Sequence, residues 1–540
     1  MIKLKDINES YTVIEIPDTE EGFDLKIKIM NSLSIYVDGY QFMPSFRAGM
    51  WDGKKKFYSQ TPTGLIIPKG LSYFIIDKLK SWGYNVTYEE NEFKFNITKE
   101  EILKFIEELK IPFKPRDYQI DAILYALNNK RGILLSATSS GKSFMIYVIV
   151  RYLLDKLKFK GALIVPTVNL VEQMFSDFKE YRWNNLDEYV HKIYSGKEKH
   201  FDKPLTISTW QSLRKSLYLF PELDFIIIDE SHTAKSENLE KIIKASINAK
   251  YKLGFTGTLP QNTIDKMTLL STLGKPKKII TPQELIDLGY ATPIKVIMFF
   301  IQYNKEICNT FWKKMNSFQS EVKFIEELES RNEFIANVAL KLSEKKENNL
   351  ILYNKISHGE ELLFRIIKKK LNLSENIDKF VYKNQIKQIK EDKIYIVQSE
   401  KDILCERKDN IIVLDELNLF FIRGDVKGNK REEIRKMLEL QDGGILIATY
   451  GTLSTGVNIK KIHNIHLVSS TKSFIRLNQS IGRGMRQHKD KNITKIFDYV
   501  DDFSTCRKRK NYMLKHADER INLYMQNAYP IIEKNIKIGD

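Results

Sequence analysis

Short apolar runs alternate with stretches of helical spacing through most of the chain. Between residues 111 and 290 there are five such runs, namely RGILLSAT, GALIVPT, LTIST, LDFIIIDE and YKLGFTGT. Near-continuous apolar strands that are separated by helices are typical of a parallel sheet covered on both faces. Each run ends in small or polar residues, at the carboxyl edge where such sheets bind their ligands. The pattern predicts an α/β domain with a candidate site at that edge.

The same pattern returns over residues 291–525, in IKVIMFF, NNLILYN, LFFIRGD, GGILIATY, HNIHLVSS and TKIFDYV. It predicts a second parallel-sheet domain, followed by a C-terminal tail over residues 526–540. About 60 residues separate NNLILYN from LFFIRGD, which is more than one crossover helix needs. We therefore expect an insertion over residues 375–416, with short strands in KIYIVQS and NIIVLDE.

Residues 1–110 have a different pattern, which predicts a small α+β domain. YTVIEI and DLKIKIM alternate between apolar and polar positions like half-buried strands, whereas residues 69–82 have helical spacing. A second helix is predicted from Thr98, with Glu101 three positions later to complete a capping box. Pro112 then marks the start of the next domain.

The composition gives the chain a net positive charge. The 540 residues include 86 lysines and arginines against 69 acidic residues, a formal net charge of +17. A positive field of this kind raises encounter rates with polyanions, of which nucleic acid is the commonest in a cell. A lysine-rich proteome would give the same excess, so the charge does not settle the partner.

No apolar run reaches the roughly 20 residues that a membrane span needs, and the polar N-terminus does not resemble a signal peptide. The cysteines Cys308, Cys405 and Cys506 are far apart and show no metal-type pairing. These features predict a protein of the reducing cytoplasm.

Residues 132–146, GILLSATSSGKSFMI, contain the first candidate chemistry. A strand runs into a turn that ends in Gly-Lys-Ser and then into a helix, as in a phosphate-binding P-loop. The usual pattern has glycine where this chain has Ser136. We expect Lys142 to reach the β- and γ-phosphates of ATP and Ser143 to ligate Mg²⁺. The remaining cradle residues are Thr138, Ser139, Ser140 and Gly141.

A second run, FIIIDESHTAK, ends in two carboxylates at the same predicted sheet edge. Asp229 is expected to hold Mg²⁺ and Glu230 to polarise the attacking water. A strand that ends in surface acids is the alternative interpretation. His232 alone would more often be structural, but in this sequence we expect it to couple neighbouring motifs. Asp415 and Glu416 also end an apolar run, and we interpret them as structural because no P-loop precedes them in their domain.

Other short motifs fit a nucleotide-driven machine. In RDYQ, Arg116 and Gln119 precede the P-loop, and Gln119 is placed to contact an adenine edge. In TGT, small residues that follow a strand are suited to coupling hydrolysis to strand contact: Thr256, Gly257 and Thr258. In QSIGRGMRQ, three side chains at helical spacings of four and three could reach a γ-phosphate: Gln479, Arg483 and Arg486. Ordinary surface salt bridges are the alternative for these arginines.

Taken in order, RDYQ, SATSSGKS, IVPT, STWQSL, DESH, TGT, ATYGTLSTGVN and QSIGRGMR resemble the motif series of superfamily 2 helicases. The resemblance covers about residues 111–500. It implies two tandem RecA-like parallel-sheet domains, a small N-terminal nucleic-acid-binding domain, and the use of ATP and Mg²⁺. IGRGMRQHKDK, YGTLSTGVNIKKIHNI and FRAGMWDGKKKFY are further similar to a group of helicases from T-even bacteriophages. That group implies fork regression, branch migration of Holliday junctions and unwinding of R-loops.

The resemblance also implies the residues that contact a nucleic-acid strand. They are Pro166 and Thr167 in IVPT, Ser208, Thr209, Trp210 and Gln211 in STWQSL, and Thr449 and Thr452 in the late motif. Thr455 and Gly456 would link this groove to the nucleotide. Donors of this type hold phosphates without reading sequence. Ordinary loop and capping roles are the alternative for each residue.

In the N-terminal domain, FMPSFRAGMWDGKKKFY interleaves aromatic and basic residues. Stacking on aromatic rings and phosphate contacts would hold a splayed strand. The expected contacts are Arg47, Trp51, Lys54, Lys55 and Lys56, although several of the aromatic residues could equally belong to the core.

The sequence leaves several functions open. An RNA helicase and the motor subunit of a restriction enzyme share the same motifs, whereas a nuclease or a passive annealing protein would be a different class. We expect the partner to be branched DNA or an RNA–DNA hybrid, and the protein to be a monomer.

Overall fold

The computed structural model describes residues 2–90, 96–194, 200–214, 216–233, 236–373, 379–383, 396–398, 402–406, 411–414, 417–422, 428–451, 459–469, 474–507 and 509–539. The chain forms two compact units, Met1–Ile280 and Thr281–Asp540. The division falls ten residues before the predicted domain boundary. No described helix is long and apolar enough to span a bilayer.

The first unit begins with a five-stranded mixed sheet in the order β5-β6-β2-β1-β7 and a separate two-stranded ribbon of β3 and β4. The strands are β1 (Ile2–Asp6), β2 (Tyr11–Glu15), β3 (Ser34–Tyr36), β4 (Lys54–Lys56), β5 (Ser59–Thr61), β6 (Gly64–Pro68) and β7 (Val86–Glu89). The helices are Glu20–Ser32, Pro44–Arg47, Ser72–Ser81 and Lys99–Glu108. The predicted capping box is present, since Thr98 and Glu101 exchange side-chain and backbone hydrogen bonds.

One prediction for this region is wrong. DLKIKIM is not a strand but lies inside the helix Glu20–Ser32, which Thr19 caps by accepting a hydrogen bond from the backbone N–H of Gly22. Leu25 and Ile29 are buried. Their spacing of four residues fits one helix face as well as it fits an alternating strand, so local periodicity could not decide between the two.

A seven-stranded, wholly parallel sheet fills the rest of the first unit, in the order β10-β11-β9-β12-β13-β8-β14. All five predicted runs form strands of it. The strands are β8 (Arg131–Ser136), β9 (Gly161–Val165), β10 (Val190–Ile193), β11 (Leu205–Thr209), β12 (Phe225–Ile228), β13 (Tyr251–Thr256) and β14 (Pro276–Ile280). The helices are Asp117–Asn129, Lys142–Asp155, Val168–Glu180, Leu186–Tyr189, Trp210–Leu213, Ser236–Ala245 and Thr263–Leu273.

The small N-terminal sheet is fixed to this parallel sheet by buried polar contacts. Nζ of Lys252, at the start of β13, donates to the carbonyl oxygen of Glu9 and to the hydroxyl of Ser10, both at 2.7 Å. The guanidinium of Arg131 donates to the carbonyl oxygens of Glu9 and Thr272. Burial is the main reason that the pKa of Lys252 falls to about 5, with the charge of Arg131 adding to it.

The second unit contains an eight-stranded sheet in the order β20-β21-β22-β16-β23-β24-β15-β25. Seven of its strands are parallel, and β20 pairs antiparallel with β21. The strands are β15 (Ile294–Tyr303), β16 (Asn349–Tyr353), β20 (Ile411–Leu414), β21 (Leu419–Ile422), β22 (Ile445–Thr449), β23 (Asn464–Leu467), β24 (Thr494–Asp502) and β25 (Ile531–Ile538). The helices are Pro282–Asp287, Lys305–Lys314, Phe318–Glu327, Glu329–Glu344, Ile356–Lys370, Gly428–Leu440, Phe474–Gly484 and Tyr512–Gln526.

Within the expected insertion, a small sheet is formed by β17 (Lys379–Lys383), β18 (Ile396–Gln398) and β19 (Asp402–Glu406). Asp415 and Glu416 lie outside the described residues. Residues 526–540, expected as a tail, instead include an edge strand of the main sheet, because β25 pairs in parallel with β15. Two sheets that are each built on seven parallel strands are the tandem RecA-like architecture that the sequence predicted.

Candidate functional site

The P-loop lies between β8 and the helix that begins at Lys142. Gly141 has a φ of +84° and Ser139 a φ of +68°, so the turn uses the left-handed backbone region twice. Thr138 lies in the same turn and is half-buried. A turn of this shape directs backbone N–H groups and the positive end of the helix dipole at an anion.

Ser136, which replaces the usual glycine, has a defined place. Its side chain is fully buried, and its hydroxyl lies 2.6 Å from the hydroxyl of Ser140. The strand end is therefore tied to the turn by a side-chain hydrogen bond that glycine cannot make.

Gln119 lies against the same turn from the preceding helix. Its Nε2 donates to the carbonyl oxygen of Ser140 at 2.8 Å, and its Oε1 accepts from the backbone N–H of Arg116 at 2.9 Å. The hydroxyl of Tyr118 also donates to Ser140 O, at 2.7 Å, and in turn accepts from the Arg116 guanidinium. A Cβ added to Gly141 would lie 2.4 Å from Nε2 of Gln119. The contact of Gln119 with an adenine edge stays a prediction.

Lys142, which follows β8, and Glu230, which follows β12, form an ion pair. Nζ of Lys142 lies 2.8 Å from Oε1 of Glu230, and both side chains are largely buried. Burial opposes the lysine charge, but the carboxylates of Glu230 and Asp229 outweigh it, and the pKa of Lys142 is raised. The Glu230 backbone has a φ of +45°, a conformation that costs free energy in a residue with a side chain.

Asp229 is buried at the end of β12, and its Oδ1 accepts from the backbone N–H of Glu230 at 2.9 Å. Burial, with the added repulsion of Glu230, raises the pKa of Asp229 to about 7 against the pull of Lys142. Both carboxylates act on the charge of Lys142, and a further positive charge would stabilise the pair.

His232 connects this edge to the end of β13. Its Nδ1 lies 2.5 Å from Oγ1 of Thr256, which also donates to the carbonyl oxygen of Thr258 at 2.8 Å. Burial lowers the pKa of His232, and among the described residues its buried Nε2 has no hydrogen-bond partner. A Cβ added to Gly257 would make an ordinary van der Waals contact with the carbonyl oxygen of Ser136, at 3.7 Å. The residues predicted for coupling are thus brought together.

Tyr181 is a residue of the site that the sequence did not indicate. Its hydroxyl lies 2.9 Å from Oγ of Ser143. The two residues are separated by 38 positions, and no motif or periodicity connects them. A tyrosine that follows an amphipathic helix normally suggests core packing only.

The donors at this edge fit Mg²⁺ bound to a nucleotide. Ser143 and Asp229 supply hydroxyl and carboxylate oxygens, the hard ligands that Mg²⁺ prefers, and phosphates and waters usually complete its octahedron. Asp229 is a buried carboxylate, and burial is the main cause of its raised pKa, so a bound cation would favour its charged form. Among the described residues, no group of three or more His, Cys, Asp or Glu side chains could hold a metal ion.

The predicted strand-contact residues in the first unit are in part engaged locally. The hydroxyls of Thr167 and Thr209 cap the helices that follow them, and the buried hydroxyl of Ser208 donates to the carbonyl oxygen of Ile193 at 2.6 Å. Trp210 is half-buried against the core, and Nε2 of the exposed Gln211 lies 3.5 Å from the carbonyl oxygen of Pro166. Their contacts with nucleic acid stay predictions.

The three lysine side chains of β4 make different contacts. Lys54 lies with Nζ 4.7 Å from the ring centroid of Tyr36, which is half-exposed. Lys55 turns toward the parallel sheet and contacts Glu240 and Thr268, both at 3.0 Å. Lys56 forms a surface ion pair with Asp52.

The aromatic residues around β4 likewise differ in exposure. Phe57 is 4% exposed and belongs to the core, whereas Phe42 is 74% exposed beside the guanidinium of Arg47. Trp51 is half-buried and donates from its indole to the carbonyl oxygen of Lys54. We call Tyr36, Phe42, Arg47, Lys54 and Lys56 the exposed ribbon patch.

In the second unit, Arg483 lies in the last turn of the helix Phe474–Gly484 and is buried, at 8% exposure. Arg486 lies two residues beyond that helix, so the two arginines do not share a helix face as predicted. The helix ends because Lys491 and Thr494 donate to the carbonyl oxygen of Gly484, at 2.9 and 2.7 Å. Gln479 lies in the helix and Thr449 ends β22, whereas Thr452, Thr455 and Gly456 fall outside the described residues.

Comparisons with known proteins agree with this arrangement. Residues 112–261 match the family described as "Type III restriction enzyme, res subunit". The chain is 28% identical over 532 residues to the ATP-dependent DNA helicase UvsW of Enterobacteria phage T4, covering 95% of each chain. A crystal structure of T4 UvsW matches 99% of both chains at 25% identity, with a TM-score of 0.47.

A fragment of a putative HsdR subunit of a type I restriction enzyme from Vibrio vulnificus is less similar in sequence. It covers 79% of this chain and 70% of its own, at 19% identity and a TM-score of 0.50. At that identity the likeness concerns the fold. The sequence match to UvsW over 95% of both chains, together with the motif series and the two parallel sheets, indicates an ATP-dependent helicase. The chain resembles the superfamily 2 helicases and is similar to the UvsW helicase of phage T4 along nearly its whole length.

Proposed function

We propose that this helicase uses ATP and Mg²⁺ to remodel branched DNA, through fork regression, branch migration of Holliday junctions and unwinding of R-loops. Such an activity would serve phage recombination, repair and replication. The observation that carries the nucleotide part is the meeting of Lys142 and Glu230 at 2.8 Å, beside the buried Asp229, at the carboxyl edge of one parallel sheet. The DNA part is supported by the similarity to UvsW over 95% of the chain.

Each residue of the candidate site has its own expected role in ATP hydrolysis. Lys142 and the backbone of the turn from Thr138 to Gly141 would hold the phosphates of ATP. Ser143 and Asp229 would hold Mg²⁺, which neutralises charge on the transferred phosphoryl group. Glu230 is the candidate base that polarises the attacking water, and Arg483 and Arg486 are the candidate arginine fingers. Fingers of this type contribute about 10³–10⁵ in rate.

Branched DNA suits a motor of this type on energetic grounds. Branch migration and R-loop processing replace each broken base pair with a new one, so their net free-energy change is near zero. A helicase that only separates strands must supply about 1.4 kcal/mol for each stacking step that is not replaced. The motor would therefore mainly provide direction.

The exposed ribbon patch is the candidate DNA contact of the N-terminal domain. It combines aromatic rings, Tyr36 and Phe42, with three cationic side chains on one exposed β-ribbon and its adjoining loop. Stacking and phosphate contacts of this kind bind a strand without sequence preference. Pro166, Thr167, Thr209 and Gln211 would add contacts at the sheet edge.

A translocase of the restriction type is the second candidate. It is favoured by the match of residues 112–261 to the restriction-subunit family. Such a translocase moves along intact duplex, so linear duplex should stimulate its ATPase activity as strongly as a junction of equal length does. A branched-DNA helicase should respond more strongly to the junction.

The decisive experiment measures ATP hydrolysis by the full chain without DNA, with linear duplex, with a model fork and with a Holliday junction. We expect the two branched substrates to stimulate turnover most. The control is Glu230→Gln, which keeps an oxygen near Lys142 for nucleotide binding but should lower turnover by about 10²–10⁴ through the loss of the base. Turnover that no DNA stimulates would contradict the proposal.

A further inference from the structure

The structure assigns Tyr181 as a positioning residue of the nucleotide site. We propose that its hydroxyl, 2.9 Å from Oγ of Ser143, holds the serine hydroxyl in the rotamer that presents its oxygen to the divalent cation of the bound nucleotide. This inference rests on the proposed function, in which Ser143 is a ligand of that cation.

Packing fixes the position of the Tyr181 ring. Tyr181 is the first residue after the helix Val168–Glu180, and its backbone N–H donates to the carbonyl oxygen of Asp177 at 3.0 Å. Its own carbonyl oxygen accepts from the hydroxyl of Tyr147 at 3.2 Å. The ring meets three other rings edge-on, with centroids 5.6 Å from Phe113, 6.0 Å from Phe144 and 5.2 Å from Tyr147. A phenol held in this way has little freedom to leave Ser143.

The chemistry of a serine ligand explains why such a partner is useful. A serine hydroxyl has one hydrogen and two lone pairs, and its hydrogen rotates freely unless an acceptor fixes it. When one lone pair faces a cation, the hydrogen needs an acceptor on the other side, and the phenol oxygen of Tyr181 is placed to be that acceptor. Partners of metal ligands fix the ligand orientation in this manner.

A phenol oxygen can accept a hydrogen bond as well as donate one, so Tyr181 can serve as the acceptor for the serine hydroxyl. A role in packing alone is the competing explanation, because the ring also fills space between Phe113 and Tyr147.

Tyr181→Phe separates these two roles, since it keeps the ring and removes one oxygen. The measurement is the dissociation constant of a fluorescent ATP analogue, with Mg²⁺ and with excess EDTA. We expect about a 3- to 10-fold weaker affinity in Mg²⁺, the usual effect of losing one hydrogen bond, and no change in EDTA. Tyr251→Phe is the matched control, because its buried hydroxyl donates to the carbonyl oxygen of Leu127; it should leave both values unchanged.

A double-mutant cycle with Ser143→Ala tests whether Tyr181 acts through Ser143. In the Ser143→Ala background, Tyr181→Phe should have no further effect on affinity in Mg²⁺. Equal weakening with Mg²⁺ and with EDTA, or an undiminished effect in the Ser143→Ala background, would assign Tyr181 to packing and overturn the inference. If the unaltered protein itself binds the analogue no better with Mg²⁺, the proposed cation site fails, and the inference fails with it.

Discussion

The side-chain amide of Gln119 supports the P-loop by donating from Nε2 to the carbonyl oxygen of Ser140 at 2.8 Å. Its oxygen accepts from the backbone N–H of Arg116, so the amide connects the start of one helix to the turn before the next. Gln119 can therefore influence nucleotide binding without touching the base.

Gln119→Ala is expected to weaken the binding of ATP and GTP by similar factors, about 3- to 10-fold, because it removes a buried hydrogen bond under the phosphate cradle. Equilibrium binding of the two nucleotides measures this directly. Gln41→Ala, at an exposed position of the N-terminal domain, is the control and should change neither value. A loss confined to ATP would instead support the predicted contact with the adenine edge.

Ser136→Gly restores the usual P-loop glycine but should lower stability. The variant loses the 2.6 Å hydrogen bond to Ser140, which is worth about 0.5–1.5 kcal/mol, and adds backbone entropy to the unfolded chain at a cost of about 0.5–1 kcal/mol. Ser136→Ala loses only the first contribution. Thermal unfolding should therefore rank the unaltered protein above Ser136→Ala and Ser136→Ala above Ser136→Gly; a more stable glycine variant would contradict the role given to Ser136.

The lysines of β4 should separate in DNA-binding experiments. Lys54→Gln and Lys56→Gln are each expected to weaken binding and to lower the slope of log affinity against log salt by about 1, the effect of one lost phosphate contact. Lys55→Gln should leave the slope unchanged, because Lys55 turns toward the parallel sheet and is half-buried in its ion pair with Glu240, whereas the ion pair of Lys56 with Asp52 is exposed. Glu240→Gln is the matched control for Lys55→Gln, because it alters the same ion pair from the other side. Identical slopes for all three lysine variants would contradict this division.

Lys491 should make the second unit more stable as the pH rises above neutrality. Burial, helped by the charge of Arg486, lowers the pKa of Lys491 from 10.5 to about 7 in the folded protein. Above pH 7 the unfolded lysine keeps a proton that the folded one has lost, so the free energy of unfolding rises with pH, by up to about 1.4 kcal/mol per unit. Below pH 7 both states are protonated and the effect disappears.

The measurement compares unfolding of the unaltered protein and of Lys491→Met between pH 6 and pH 9. The methionine variant lacks the titrating group, so the stability difference should change with pH only above neutrality. Lys489→Met, at a neighbouring exposed position, should reproduce the pH dependence of the unaltered protein. A Lys491→Met variant with that same dependence would show that Lys491 does not titrate in this range.

Much of the architecture follows from the sequence because strands buried on both faces read as unbroken apolar runs. FIII in β12 and GALIV in β9 have no polar position that would allow another interpretation. The same runs bring Lys142 and Glu230 together, because parallel strands place their carboxyl ends at one edge. The prediction for DLKIKIM was wrong for the opposite reason, since its apolar positions fit both the helix period and the strand period.

The remaining features depend on tertiary contacts that leave no local pattern. Arg486 leaves the helix because Lys491 and Thr494 close its last turn at Gly484. Ser143 meets Tyr181 because two crossing helices bring them together. The strand β25 pairs with β15 across more than two hundred residues. Each of these results from the packing of distant segments, and neither composition nor spacing records it.

The contacts that Lys252 and Arg131 make with Glu9 and Ser10 have a mechanical consequence. Gly70 adds to them, because even a methyl group at its α-carbon would lie 2.4 Å from the carbonyl oxygen of Ser271. Lys55 likewise joins the ribbon of β3 and β4 to this part of the unit, through Glu240 and Thr268, so we expect the ribbon to move together with the P-loop sheet. If events at the nucleotide rotate the P-loop sheet by a few degrees, the end of the ribbon would be displaced with it.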